Sequence, residues 1–131
     1  MLGIDTNVLV RLLIADNAEQ TRRARQLVRA AAERGEPVLV SLLVLIETEW
    51  VLRSRYDMDK FASLAALRSL LTARELAFED EPAIEEALFN WDESNAGFAD
   101  CLMAAHHRRL GCRATATFDA KAARLPGFVA A

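Results

Sequence analysis

Cysteine is nearly missing from this chain: Cys101 and Cys112 are the only two among 131 residues. Two thiols set among apolar or helical neighbours make neither a disulfide framework nor a zinc spacing. Used as small apolar residues, they suit a reducing compartment. Histidine is as scarce, and His106 and His107 are adjacent. On a helix neighbouring residues point in different directions, so they do not chelate one ion as an i, i+4 pair would, and with Arg108 and Arg109 they read as surface. An excess of positive charge is lacking too. Sixteen Lys+Arg stand against nineteen Asp+Glu, a net charge of −3, which argues against coating nucleic acid by bulk charge. It leaves room for a nuclease whose carboxylates are neutralised by metal. Long apolar runs are also absent. The stretch from Pro37 to Ile46, broken by Ser41, falls well short of the roughly 20 residues that span a bilayer, so no membrane association is expected. An acid at position five with no basic region before it predicts no export signal and a cytoplasmic protein.

What is present is apolar material, 53% of the residues, enough for one domain over residues 1–131 with a full core. Leu2 to Ile4 reads as a short buried strand, and Val8 to Ile14 as a helix. Asp16 with Glu19, or Asn17 with Gln20, has capping-box spacing for a second helix, which Gly35 ends near Arg34. Pro37 to Ser41 is a strand of the kind buried on both faces. Leu42 to Arg53 is a helix apolar almost all round, hence buried. Asp57 to Ala73 forms another helix and Leu76 to Glu79 a strand. Glu81-Pro82 starts the next helix, whose acids Asp80, Glu81, Glu85 and Glu86 complement its dipole. Asn95 caps a helix from Ala96 to Leu110, closed by Gly111. Ala114 to Phe118 and Phe128-Val129 complete the strands. Strands alternating with helices predict an α/β fold, a three-layer α/β/α sandwich with a mostly parallel central sheet of four to five strands.

Against this frame the acids fall in a pattern. Asp5 and Asp119 follow strands, at the carboxyl ends where open α/β sheets place their chemistry. Glu47 and Asp100 sit early in helices that leave the same side. Two of them have a plainer explanation. Asp5 or Thr6 caps a helix, and Asp100 complements a helix dipole. Glu49 pairs with Arg53 in the favourable order. Glu47 has no such partner and shares a face with Leu43, Ile46, Trp50 and Val51. A carboxylate in those surroundings has to be paired, protonated or bound to metal. Four convergent carboxylates without matching cations call for metal, and all-oxygen ligands favour Mg²⁺ or Mn²⁺. The natural chemistry is phosphodiester hydrolysis. Thr6, Asn7 and Thr117 are placed to orient the carboxylates or an attacking water.

These residues resemble a known family. Leu2-Gly3-Ile4-Asp5-Thr6-Asn7-Val8-Leu9, then Val44-Leu45-Ile46-Glu47 with Trp50-Val51-Leu52, then Phe98-Ala99-Asp100-Cys101-Leu102 and Thr117-Phe118-Asp119 are similar to PIN-domain ribonucleases. Their order and spacing are similar to the VapC toxins of bacterial toxin–antitoxin pairs. The resemblance covers essentially the whole chain, down to Ala123-Arg124-Leu125-Pro126-Gly127. It implies a PIN-like fold and a Mg²⁺- or Mn²⁺-dependent endoribonuclease that cuts structured RNA such as tRNA or rRNA. Asp5, Glu47, Asp100 and Asp119 match the family's acidic set. It further implies a homodimer, or a toxin–antitoxin hetero-oligomer, held inactive by a cognate antitoxin lying along a groove. Trp50, Tyr56, Phe61 and Leu64 are the expected lining, although core packing explains them equally well. Many members carry an acid three residues before the third motif acid, where this chain has Gly97, so the number of metals stays open. The competing expectations are a catalytically silent binding module acting only in a repressor complex, and a phosphoryl-transfer or phosphoacceptor domain. The first is disfavoured by the intact acids; the second would want an acid close to Asp5 or a Lys near the last motif, for which Lys121 is a loose candidate. Arg22, Arg23, Arg25, Arg53, Arg55, Arg108, Arg109 and Lys121 are all candidate phosphate contacts, unranked by sequence.

Overall fold

Strand β1 (Leu2–Gly3), β2 (Val38–Val40) and β3 (Leu76–Phe78) form a parallel sheet in that order. Leu2 stands opposite Val38, and Val38 opposite Leu76. The computed structural model describes every residue from Met1 to Ala131, and its contacts separate two compact units, Met1–Glu79 and Asp80–Ala131. In the first unit the sheet is accompanied by helices α1 (Thr6–Leu13), α2 (Ala18–Glu33), α3 (Leu42–Ser54) and α4 (Lys60–Leu71). Leu9, Val10, Val38, Val40, Leu45, Leu52 and Leu67 are its largest fully buried apolar side chains, the short runs and helical stripes that burial selects.

Each of these helices begins where a side chain accepts an otherwise orphaned N–H. Asp5 takes that of Val8, Asn17 that of Gln20, Ser41 that of Val44 and Asp59 that of Ala62. Asn17, not Asp16, is therefore the cap of α2. Helix α2 stops as expected at Gly35, whose φ of +66° is the left-handed conformation that glycine adopts without steric cost. Helix α4 starts three residues later than the expected Asp57, because Asp59 takes the cap and Asp57 itself has φ +51°.

The second unit holds α5 (Glu81–Asp92), α6 (Phe98–Arg109), β4 (Thr115–Thr117), a 3-10 turn at Ala122–Arg124 and β5 (Phe128–Ala130). Strands β4 and β5 pair in parallel, Thr115 opposite Phe128. All five strands of the chain thus lie in parallel ladders, hydrogen-bonded as three and two. Helices α5 and α6 pack on each other, with the Trp91 and Phe98 rings 5.2 Å apart and tilted at 50°. Helix α6 begins at Phe98 with Gly97 as its cap, not at Ala96 with Asn95. The Ser94 hydroxyl accepts the Ala96 N–H at 3.3 Å, a local turn that competes with helix.

The two histidines and their arginine neighbours are not idle surface. His106 Nδ1 lies 2.7 Å from Asp80 Oδ2, and His107 Nδ1 lies 2.8 Å from Thr115 Oγ1. Arg109 also pairs with Asp80, and Arg108 with Glu86. Asp80, at φ +50°, thereby ties the start of α5 to the end of α6. Burial alone would raise the Asp80 carboxyl, but the hydrogen bonds from His106 and Arg109 outweigh it and hold its pKa below the ordinary value. No helix is long and apolar enough to cross a membrane.

Candidate acidic site

Asp5 sits at the carboxyl end of β1 with extended backbone, exposed, and its Oδ1 accepts the Val8 N–H at 3.0 Å. Capping therefore occupies one of its two carboxylate oxygens. Glu47 stands on the second turn of α3 and is likewise exposed. Asp5, Thr6, Asn7, Leu43, Val44 and Glu47 line one open pocket of about 350 Å³. Thr6 is buried in its wall, and Asn7 is exposed.

The environment expected for Glu47 is corrected by this placement. Leu43 is 80% exposed and Trp50 53% exposed, so their shared face looks outward. The buried carboxylate of α3 is Glu49, 5% exposed, whose Oε2 accepts from Arg53 Nε at 3.0 Å. A helix apolar on nearly every face carries no periodic signal that tells its inner side from its outer one.

In the second unit Asp100 lies half-buried in the first turn of α6. Asp119 is exposed just after β4. Its Oδ1 accepts the N–H groups of Lys121 and Ala122 at 2.8 and 3.1 Å. Its own N–H donates to Thr117 Oγ1 at 3.0 Å, so Thr117 fixes the backbone that presents the carboxylate. The acids spent in ion pairs with Arg, His or the amino terminus include Asp16, Glu19, Glu36, Glu49, Asp80 and Glu86. Asp5, Glu47, Asp100 and Asp119 are not among them.

The structure brings Asp5 and Glu47 to one pocket; Asp100 and Asp119 each stand on their own element of the second unit. No three Asp, Glu, His or Cys side chains form a group that could hold a metal ion. Mg²⁺ asks for less, since it keeps several waters and is bound through one or two carboxylates plus substrate phosphate oxygens. An unpaired, solvent-open pair of carboxylates fits that demand.

Two features escaped the sequence. Glu79 Oε1 accepts the Leu42 N–H at 2.8 Å, a second cap on α3 from 37 residues away. Arg11 donates from Nε to Gln20 and from Nη1 to both Asp16 and the Tyr56 hydroxyl, and that hydroxyl donates to Asp16 in turn. No local spacing marks either. Of the expected groove, Trp50 and Phe61 are exposed, Tyr56 is half-buried in this network, and Leu64 is in the core and lines no surface.

The sequence matches the PIN domain family over residues 3–127. It is 23% identical over 122 residues to a VapC ribonuclease of Aquifex aeolicus, covering 93% of this chain and 90% of the relative. Among solved structures it is similar to VapC20 of Mycobacterium tuberculosis, a sarcin-ricin loop cleaving toxin. The identity there is 24% and the TM-score 0.43, over 90% of this chain and 88% of that one.

Proposed function

The chain belongs to the PIN-domain family, and from that premise we propose that it is a metal-dependent endoribonuclease, the toxin of a toxin–antitoxin pair, hydrolysing phosphodiester bonds in structured RNA. The observation that carries the reading is the pocket shared by Asp5 and Glu47, two exposed carboxylates without a cation of their own. Asp100 and Asp119 complete the acidic set, all within a single domain of residues 1–131. Mg²⁺ or Mn²⁺ is the fitting cofactor for such all-oxygen donors; when bound, it supplies an acidified water and charge for the leaving oxygen.

The chain's own residues do the rest. Asp5 keeps its orientation because Oδ1 is held by the Val8 N–H. Asp119 keeps its orientation through the Lys121 and Ala122 N–H groups and Thr117. Asn7 brings an exposed amide to the pocket, a donor for a phosphate oxygen or a water. The antitoxin covers exposed apolar side chains, with Trp50 and Phe61 as its anchors, and a homodimer or toxin–antitoxin hetero-oligomer in the cytoplasm is the working form.

The test is cleavage of cellular RNA by antitoxin-free protein, with Mg²⁺ or Mn²⁺, with EDTA, and beside Asp5→Asn. Discrete cuts that vanish with chelator and with the variant establish the nuclease. Folded, inhibitor-free protein that cuts nothing sinks it, and leaves a silent binding module in a repressor complex as the reading.

A further inference from the structure

Eight basic residues are candidates for phosphate contact on sequence grounds, and the structure ranks the seven arginines among them. Arg22 is paired with Glu19, Arg53 with Glu49, Arg108 with Glu86 and Arg109 with Asp80. Their charge is partly offset by a carboxylate of the chain itself, although all four side chains stay exposed. Arg23 and Arg55 make no such close ion pair, although Arg23 also feels the charge of Glu19 one turn before it; both are exposed and line the same cleft of about 440 Å³ as Asp5 and Asn7. Arg11 lines it too.

Arg11 also ties the walls of this cleft together. Its guanidinium binds Gln20, three residues before Arg23 on α2, and the Tyr56 hydroxyl, immediately after Arg55. Asp16 closes the network at 2.8 Å from both Arg11 and Tyr56. One half-buried side chain thus fastens the two segments that carry the unpaired arginines. Guanidinium groups present a planar fork that matches phosphate oxygens, and a site preorganised in this way loses less on binding.

We propose that this cleft seats the RNA phosphates adjoining the one that is cut, with Arg23 and Arg55 as the contacting cations and Arg11 as the clamp that spaces them. The proposal rests on the ribonuclease reading for its ligand but places the strand on residues outside the acidic motifs. A second cleft supplies the control. Arg25 and Arg29, also outside these ion pairs, line a separate cavity with Thr21 that contains none of the four acids. Removing them changes the net charge by the same amount.

The experiment is binding of a labelled stem–loop oligoribonucleotide by the full chain in EDTA, where nothing is cut, across a salt series. The proteins are wild type, Arg23→Gln/Arg55→Gln, Arg25→Gln/Arg29→Gln and Arg23→Lys/Arg55→Lys, each with a melting curve to show that it is folded. The Arg23/Arg55 glutamine pair is expected to weaken binding about tenfold or more and to lower the salt slope by roughly 1.4 to 1.8, two phosphate contacts. The Arg25/Arg29 pair should change affinity less than about threefold, and the lysine pair should restore the salt slope but only part of the lost affinity, because lysine keeps the charge and lacks the planar fork. Equal losses in both glutamine pairs, or no binding by wild type, overturn the proposal. Wild type that binds through Arg23 and Arg55 yet cuts no RNA with metal upholds the cleft and counts against the nuclease.

Discussion

Under the proposed function Asp5 has two jobs, and a single pair of substitutions separates them. Asparagine caps a helix as well as aspartate does, whereas alanine gives up the Val8 N–H at a cost of about 1 kcal/mol. Asp5→Asn should therefore melt with wild type and cut nothing, while Asp5→Ala should lose both activity and stability; thermal melts beside a cleavage assay check this. Glu47 and Glu49 form the complementary contrast. Glu47 is exposed and unpaired, so Glu47→Gln should lower cleavage by roughly two orders of magnitude with an unchanged melt. Glu49 is buried against Arg53, so Glu49→Gln should cost about 1 to 3 kcal/mol and leave the activity of the folded fraction intact. Gly97 adds a gain-of-function case. Its φ is negative and a Cβ there meets nothing within 4 Å, so Gly97→Asp is accommodated at the cap of α6. It should tighten Mn²⁺ binding, read by calorimetry, with at most a few tenths of a kcal/mol change in stability.

The elements are held at their ends by charges that come from elsewhere in the chain. Glu79 caps α3 from the end of β3, which anchors the helix that carries Glu47. Asp80 performs the same service for α6 by accepting from His106 and Arg109. Because these partners depress the Asp80 pKa despite its burial, its contribution is present above the ordinary carboxylate pKa. It is lost as pH falls through that range towards the folded value. Asp80→Asn should cost about 1.5 to 3 kcal/mol at neutral pH. The gap between the two proteins should close progressively below about pH 4, which urea titrations at several pH values would measure. A gap that stays constant down to strongly acidic pH would mean that the charge of Asp80 does not supply the stability.

At the scale of the molecule, an acidic chain with uncompensated carboxylates should be stabilised by the ions it binds. Metal that binds only the native state adds about 2.7 kcal/mol at a hundredfold excess over its dissociation constant. Mn²⁺ should raise the melting temperature of wild type and not that of Asp5→Asn, whereas Ca²⁺-free and Mg²⁺-free buffers should leave the two alike. An equal shift in both proteins would place the bound ion away from Asp5. The same net charge of −3 explains why nucleic-acid affinity should reside in a few fixed arginines and not in the surface at large.

The sequence by itself determined the alternation of strand and helix, the stop at Gly35 and the acids at strand ends and helix starts, and it narrowed the cap of α2 to Asp16 or Asn17. These are local: a cap or a glycine acts within one turn, and a strand's apolar run is read residue by residue. Only the tertiary structure decided which carboxylate of α3 is buried, because Leu42 to Leu52 is apolar on nearly every face and offers no periodicity to choose between Glu47 and Glu49. It also decided which arginines are free. The partners that consume Arg108 and Arg109 lie 22 and 29 residues away, and Arg11 meets Tyr56 across 45 residues. Such pairings are set by where the backbone brings side chains in space, and no spacing along the chain encodes them.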